Sequence, residues 1–337
     1  MGRERSTLVG TPVVIAPGKI FLVGEYAVLE EGPAVLAAVS RHAVAQYVPG
    51  MDPMSDVVRE AVRLARAEIG ETASALPAGS VLVNTDDFRQ GDQKLGLGSS
   101  AATAVATVGA VFESAGISVD KNRAQVFNVA YAAHLAAQGG AGSGADVAAA
   151  AHGGLIKVER QATGAPLVEP LVPPTGLHLV VFWTGQPVST TTMIEGVQKF
   201  ATNDATAYRE MIDDLHDTAA RFVAEIRSGS ATGAVAAAGR YGARLAILGA
   251  AASVPIVTHA FTRASELAKE LGGVAKPSGA GGGDIGIAMF ATPETARLFA
   301  RALPRPIVPL NVDLDRLGVR RRSPGETSTE DSGMFHV

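Results

Sequence analysis

Glycine placement sets the tightest limit on what this chain can fold into. Of its 38 glycines, many crowd into three short strings at the junctions of predicted elements. The first is Gly96-Leu97-Gly98-Ser99-Ser100, and the second runs from Gly139 through Gly144 to Asp146. The third runs from Gly279 through Gly283 to Asp284. Glycine reaches backbone conformations closed to other residues and admits close approach of a second backbone or a ligand. Tight, glycine-lined turns between packed elements are one way a fold cradles a phosphate. A mobile surface loop is the plainer alternative for the third string, and helix capping the plainer one for the first two.

Around these strings the hydrophobic pattern is mixed. Leu8 to Ala16 alternates as a strand that ends at Pro17-Gly18. Phe21–Val23, Ala34–Val39, Ala43–Val48 and Val81–Val83 read as further strands, with Glu30-Glu31-Gly32-Pro33 as a turn. Helical spacing appears over Asp52–Ile69, Ser99–Ala115, Gln125–Gln138 and Asp146–Ala151. Leu155–Val158 and Leu177–Trp183 are strands on either side of a break at Pro173-Pro174-Thr175-Gly176. Beyond it come helices over 191–199, 204–227, 232–248, 255–271 and 293–303, with strands at Gly286–Phe290 and Val308–Val312. From Ser323 onward the chain is polar and turn-rich, the pattern of a loose tail. Strands first, then helices among isolated strands, predict an α+β fold rather than a regular βαβ series.

Composition removes several functions. Lys plus Arg number 29 against 33 Asp plus Glu, a net charge of −4. No basic excess exists to coat nucleic-acid phosphates. There is no cysteine, so disulfides, thiolate metal sites and cysteine nucleophiles are excluded together. The first residues lack the apolar core of a secretory signal, and no uninterrupted apolar stretch is long enough to span a bilayer. The expectation is a soluble cytoplasmic protein with no nucleic-acid or membrane partner; monomer and homodimer both remain open.

The strongest local signal is Lys94-Leu95-Gly96-Leu97-Gly98-Ser99-Ser100-Ala101. The glycines turn the chain, and a small-residue helix begins at the serines. Its free N–H groups and dipole make an anion site, and the hydroxyls can donate to phosphate or ligate Mg²⁺. The string also fits a dinucleotide fingerprint. However, it follows a polar loop instead of a buried strand, and no strand ending in an acid comes after the helix. No Walker loop occurs anywhere. Asp146 reads either as a helix cap, the commoner role for Asp at such a place, or as a general base or charge-positioning group near a phosphoryl acceptor. Lys19, after Ala16-Pro17-Gly18, is followed by apolar residues and is expected to face a cleft, with an ordinary surface lysine as the plainer alternative. Ser189-Thr190 opens another hydroxyl-rich helix start.

Taken in order, these pieces resemble the GHMP kinase superfamily. Pro17-Gly18-Lys19 with Gly24-Glu25-Tyr26 is similar to its first motif, Gly96–Ala101 to its second, and Lys276–Asp284 to its third. Within the superfamily the phosphomevalonate kinase branch is the nearest likeness. It is favoured by His134 through Gly139 leading into Gly142-Ser143-Gly144-Ala145-Asp146, by Trp183-Thr184-Gly185 before Ser189-Thr190, and by Lys276-Pro277-Ser278-Gly279-Ala280-Gly281 with its terminal Asp284.

The resemblance implies a two-domain fold. Residues 1–176 would form an N-terminal mixed-sheet nucleotide-binding domain. Residues 177–322 would form a C-terminal ferredoxin-like α/β sandwich; 323–337 is the disordered tail expected from its polar composition. It implies ATP and Mg²⁺, with γ-phosphoryl transfer to the phosphate of (R)-5-phosphomevalonate. Other acceptors of the superfamily (mevalonate, homoserine or a sugar) and a non-catalytic ligand sensor are the alternatives. Lys19 and Asp146 would be catalytic. Lys94, Gly96, Leu97, Gly98, Ser99, Ser100 and Ala101 would hold the nucleotide phosphates, with Ser99 or Ser100 on the metal. Lys19, Ser143, Gly144, Ser189, Thr190, Lys276, Ser278, Gly279, Ala280 and Gly281 would meet the acceptor. One departure stands out: mevalonate kinases and several relatives carry a metal-binding Glu before the Asp loop. Between Ala124 and Ala145 this chain has no acidic residue.

Overall fold

Pro17-Gly18 is where the fold first differs from expectation. In a computed structural model, which describes residues 11–140, 142–323 and 335–336, strand β1 (Val13–Val23) does not stop there. It pairs antiparallel with the whole of β2 (Pro33–Pro49), from Val13 opposite Gln46 to Val23 opposite Val35. Pro17 faces His42 while Gly18 faces Val39, so Ser40 and Arg41 bulge from β2. A bulge absorbs proline without ending a strand, and the two strands expected within 34–48 are one. A Cβ on Gly18 would stand 2.8 Å from the Leu97 carbonyl oxygen. The bare glycine lets the Lys19 N–H donate to that oxygen at 2.9 Å. Residues 8–10 of the expected first strand lie outside the described residues.

The chain continues through α1 (Asp56–Glu68), β3 (Gly79–Asn84) and a short hairpin of β4 (Arg89–Gln90) and β5 (Gln93–Lys94). Next come α2 (Ser99–Ser114), α3 (Arg123–Ala137), α4 (Ala145–His152), β6 (Leu155–Glu159) and β7 (Leu167–Leu171). Helix α2 is buried from Ala101 to Phe112 except at Thr103. That all-round burial is what small side chains permit, and at Gly109 a Cβ would meet Val14 at 2.9 Å. It packs on β1 and β2, with α1, α3 and α4 around it.

The second half holds β8 (His178–Trp183), α5 (Thr190–Asn203), α6 (Ala205–Arg227), α7 (Ala231–Ala252) and α8 (His259–Glu270). Then follow β9 (Val274–Pro277), β10 (Ile285–Phe290), α9 (Pro293–Ala302), β11 (Val308–Pro309), β12 (Arg320–Arg321) and β13 (Phe335–His336). Its sheet is antiparallel in the order β11-β8-β10-β9, with β13 also on β8. Alternate residues of β8 and β10 face opposite ways. Phe182 and Phe290 pack with Phe261 and Phe299 of α8 and α9, while Val181, Ile287 and Met289 join the main core shared with α7 and the first sheet. Among the described residues the protein is thus a mixed α/β molecule with two principal antiparallel sheets, a main apolar core running between them and a smaller cluster under α8 and α9.

Pro173–Gly176 falls between β7 of the first sheet and β8 of the second. A cut there does not yield two self-contained halves. The Ser40 N–H donates to the Asp313 carbonyl at 2.9 Å, and β12 pairs with β1, making the first sheet's order β12-β1-β2-β6-β7 with β3 on β2. The last residues of the expected 177–322 unit therefore complete the N-terminal sheet. Of the expected loose tail, Phe335–His336 pairs with β8; residues 324–334 and 337 lie outside the described set.

Candidate active site

Lys19 follows directly on Gly18, opposite the bulge of β2, and is 6% exposed. Its stem lies against Gly98, where a Cβ would stand 3.0 Å from Lys19 Cε. Its Nζ is 3.5 Å from Asp146 Oδ2 and 5.1 Å from the centre of the Phe21 ring. Asp146 is the second residue of α4. The capping position belongs to Gly144, at φ +74° and with no side-chain cap bond, so the carboxylate is free to meet the lysine. A side chain at Gly144 would strike the Tyr131 ring at 2.6 Å.

The first glycine string delivers a helix start beside that lysine. Gly98 caps α2 at φ +82° without a side-chain cap bond. Neither Ser99 nor Ser100 acts as the cap, and both open the helix. The first N–H groups of α2 have no intrahelical partner, the arrangement that receives anions. Ser100 Oγ is 3.2 Å from His134 Nε2, which is 3.2 Å from Gln138 Nε2. Burial lowers the His134 pKa against the attraction of Asp146, keeping the ring neutral at pH 7.

The third string comes in from the second sheet. Its glycines serve close packing: a Cβ on Gly281 would stand 2.3 Å from the Ile256 carbonyl oxygen, and one on Gly283 2.4 Å from that of Gln186. Ser278 Oγ accepts from the Phe21 N–H at 2.8 Å and donates to the Phe21 carbonyl at 3.0 Å. Tyr26 donates to the Ala280 carbonyl at 2.6 Å. These bonds stitch the loop to β1 and to the turn that carries Tyr26.

Lys19, Gly96, Ser143, Gly144, Asp146, Thr190, Ser278, Gly279, Ala280 and Gly281 all line one cavity between the two sheets. Leu97 and Ala101 are buried behind it, with Gly98 against Lys19. Ser189 accepts from the Thr192 N–H at 3.4 Å as the cap of α5 and is not on the wall.

Besides Ser189, two more expected residues are corrected by the structure, and Ser99 and Ser100 open α2 without lining the cavity themselves. Lys94 stands exposed on the β4–β5 hairpin, away from the cavity wall. Lys276 is 2% exposed and forms a buried ion pair with Glu25. Its Nζ also donates to the Pro277 carbonyl at 2.7 Å. Burial draws its pKa down while Glu25 draws it up. With its donors directed at Glu25 and a carbonyl, this ammonium is a structural tie rather than a substrate contact.

The cavity also contains groups that the sequence reading did not assign: Phe21, Glu25, Tyr26, His134, Gln138, Val188 and Asp284. His134 and Asp284 were visible as letters of their motifs. Only the fold brings His134 to Ser100 and Asp284 to Gly96.

Comparison with known proteins fits this arrangement. The family profile "GHMP kinases N terminal domain" matches residues 53–154 and "GHMP kinases C terminal" matches 222–308. The chain belongs to the GHMP kinase family. A phosphomevalonate kinase from Streptomyces sp. (strain CL190) is 30% identical over 82% of this chain and 88% of its own length. A mevalonate kinase from Thermococcus gammatolerans is 29% identical over 55% of this chain and 60% of its own. The solved Streptococcus pneumoniae phosphomevalonate kinase in complex with phosphomevalonate and AMPPNP superposes with a TM-score of 0.71 at 21% identity. That match covers 86% of this chain and 95% of the other. Among the described residues no helix is long and apolar enough to cross a membrane.

Proposed function

We propose that this GHMP kinase is an ATP-dependent phosphotransferase whose acceptor is the phosphate of (R)-5-phosphomevalonate. One observation carries the reading: the Lys19–Asp146 pair sits beside the start of α2, on a cavity wall shared with Gly96 and the Gly279–Gly281 turn. Phosphoryl transfer depends chiefly on positioning and on neutralising charge.

The turn at Gly96–Gly98 and the N–H groups of Ser99, Ser100 and Ala101 receive nucleotide phosphates. Lys19 lies between nucleotide and acceptor and offsets the repulsion of two anions, which is steep in a site of low dielectric. Asp146 holds the ammonium in place. An acceptor phosphate with a second pKa near 6 is already ionised at neutral pH, so a strong base is not needed. Ser143, the Gly144 backbone and Thr190 face the acceptor side.

Among the described residues no three His, Asp or Glu side chains group as a metal cage. Mg²⁺ ordinarily keeps waters and takes one or two protein oxygens plus substrate phosphates, so the Ser99 or Ser100 hydroxyl fits that role. When bound with the nucleotide, Mg²⁺ supplies further neutralisation of phosphate charge.

The test is product identification by mass after incubation with ATP, Mg²⁺ and phosphomevalonate, with mevalonate and homoserine in parallel. The expected result is 5-diphosphomevalonate and ADP. Turnover only with mevalonate or homoserine would overturn the acceptor assignment and keep the kinase. Nucleotide binding without turnover on any acceptor would support a ligand sensor instead.

A further inference from the structure

The wall of this cavity carries a carboxyl group that the transfer scheme leaves without a role. Asp284 ends the third glycine string at φ +53°, a backbone conformation that costs a non-glycine residue energy and recurs at functional sites. It joins three segments. Its N–H donates to the Gln186 carbonyl at 2.7 Å, its own carbonyl accepts from the Thr184 N–H at 2.9 Å, and its Oδ1 accepts from the Val188 N–H at 3.4 Å. The side chain lies against the nucleotide-loop glycine. A Cβ on Gly96 would be 2.8 Å from Asp284 Cβ and 3.1 Å from its Oδ2.

An acid in this place is a puzzle of charge. A site built for several phosphates should not face them with a carboxylate, because like charges in a poorly hydrated cleft repel strongly. The charged group that acts on it is Lys19 from β1, itself paired with Asp146 of α4, and Glu25 and His134 line the same cavity. Lys19 is already engaged by Asp146, so it neutralises Asp284 only in part. Burial pushes the Asp284 carboxyl up to about 6, against the Val188 amide and Lys19, which both favour the charged form. An incoming polyphosphate pushes the same way as burial.

We propose that Asp284 is a phosphate-binding residue of this site that works as a neutral acid: on nucleotide binding its carboxyl takes a proton from solvent and donates a hydrogen bond to a phosphate oxygen. This rests on the reading of the cavity as a nucleotide site. It accounts for the residue's position: a donor beside Gly96 extends the row of N–H donors at the start of α2. The proton is taken up once, on binding, and returns to solvent on release.

The test is calorimetric titration with the Mg²⁺ complex of AMPPNP at pH 7, in buffers of differing ionisation enthalpy. The slope across buffers counts protons. Wild type is expected to take up as much as about one proton more per site than Asp284→Asn. Asparagine tolerates a positive φ and offers a fixed neutral donor. Its affinity should stay within a few-fold of wild type and remain flat toward pH 9, where wild-type affinity falls. Asp284→Gly, which relieves the backbone and removes the donor, should bind at least about tenfold more weakly with the reduced proton count. Equal proton counts in wild type and both variants would overturn the inference and leave the nucleotide site standing. So would loss of Mg²⁺-dependence of binding in Asp284→Asn, which would make the residue a cation ligand. Failure of wild type to bind the analogue at all would overturn both readings.

Discussion

At the scale of single residues, the lysine and aspartate of the cavity differ in what they expose. The Lys19 side chain is 8% exposed and that of Asp146 35%, so the ammonium is buried while the carboxylate keeps part of its hydration. A partly hydrated pair contributes less to stability than a fully buried one, and its place on the cavity wall points to positioning. Asp146→Asn should therefore lower kcat more than it raises KM, with the unfolding midpoint nearly unchanged. A variant that simply fails to fold would make Asp146 a structural residue. Lys19→Met should cost roughly 100-fold or more in kcat with unchanged circular dichroism, and near-normal turnover would remove Lys19 from the mechanism. Far from the cavity, Asp315 is a different case. It is 6% exposed and accepts from Arg320 Nη1 at 2.9 Å, with His42 Nε2 at 2.6 Å. Burial raises its pKa, but His42 and Arg320 outweigh it, and the net value lies below the usual carboxylate range. A depressed carboxyl stabilises the fold above its unfolded value of about 3.9. That contribution disappears as pH falls through the lower folded value. The stability gap between wild type and Asp315→Asn in urea should accordingly be full at pH 6 and shrink below about pH 4. A gap independent of pH would mean that the carboxylate's charge is not what matters.

At the scale of elements, the glycines of the third string are held by shape. Gly281 sits at φ +79°, with the Ile256 carbonyl where its Cβ would be, and the Gly282 N–H donates to that same carbonyl at 3.0 Å. Gly281→Ala should destabilise by about 1–3 kcal/mol and raise the KM of whichever substrate meets the loop. Unchanged stability would show the loop to be loose. The same region shows what the sequence made legible. Long helices such as α6 and α7 follow from their periodicity, and β8 and β10 from apolar runs. Apart from the two-residue strands, those that escaped were β7, Leu-Val-Glu-Pro-Leu, mostly outside the buried core at a sheet edge, and β9, Val-Ala-Lys-Pro. A lysine and a proline make a poor strand signal. β9 is a strand because β10 pairs along it and because Lys276 finds a buried partner. Lys19, Gly96, Asp146 and Gly279–Gly281, all singled out by motif, line one cavity. Lys94 and Lys276 were misread for one reason: a lysine beside glycines has the same letters whether its ammonium faces a ligand, solvent or a glutamate 251 positions away.

At the scale of the whole molecule, the question is what holds the two sheets at the spacing that the cavity needs. Apolar contact alone allows sliding; directional bonds do not. Across the junction run Phe21 with Ser278, Tyr26 with Ala280, and the Tyr241 hydroxyl of α7 onto the Glu25 carbonyl at 2.6 Å. At their centre is the Glu25–Lys276 pair, with both side chains at most 2% exposed. Removing one partner of a buried pair strands the other charge, at a cost of about 3–5 kcal/mol, while replacing both with uncharged groups is often nearly neutral. Lys276→Met should thus lose about that much in urea unfolding, and adding Glu25→Gln should restore most of it. If the pair also sets the spacing of the site, the restored double variant will fold well yet show a raised KM, since the two glycine loops are no longer fixed to each other. A different pattern would return Lys276 to the substrate: a loss below about 1 kcal/mol in Lys276→Met, joined to a large rise in the acceptor KM that Glu25→Gln does not share.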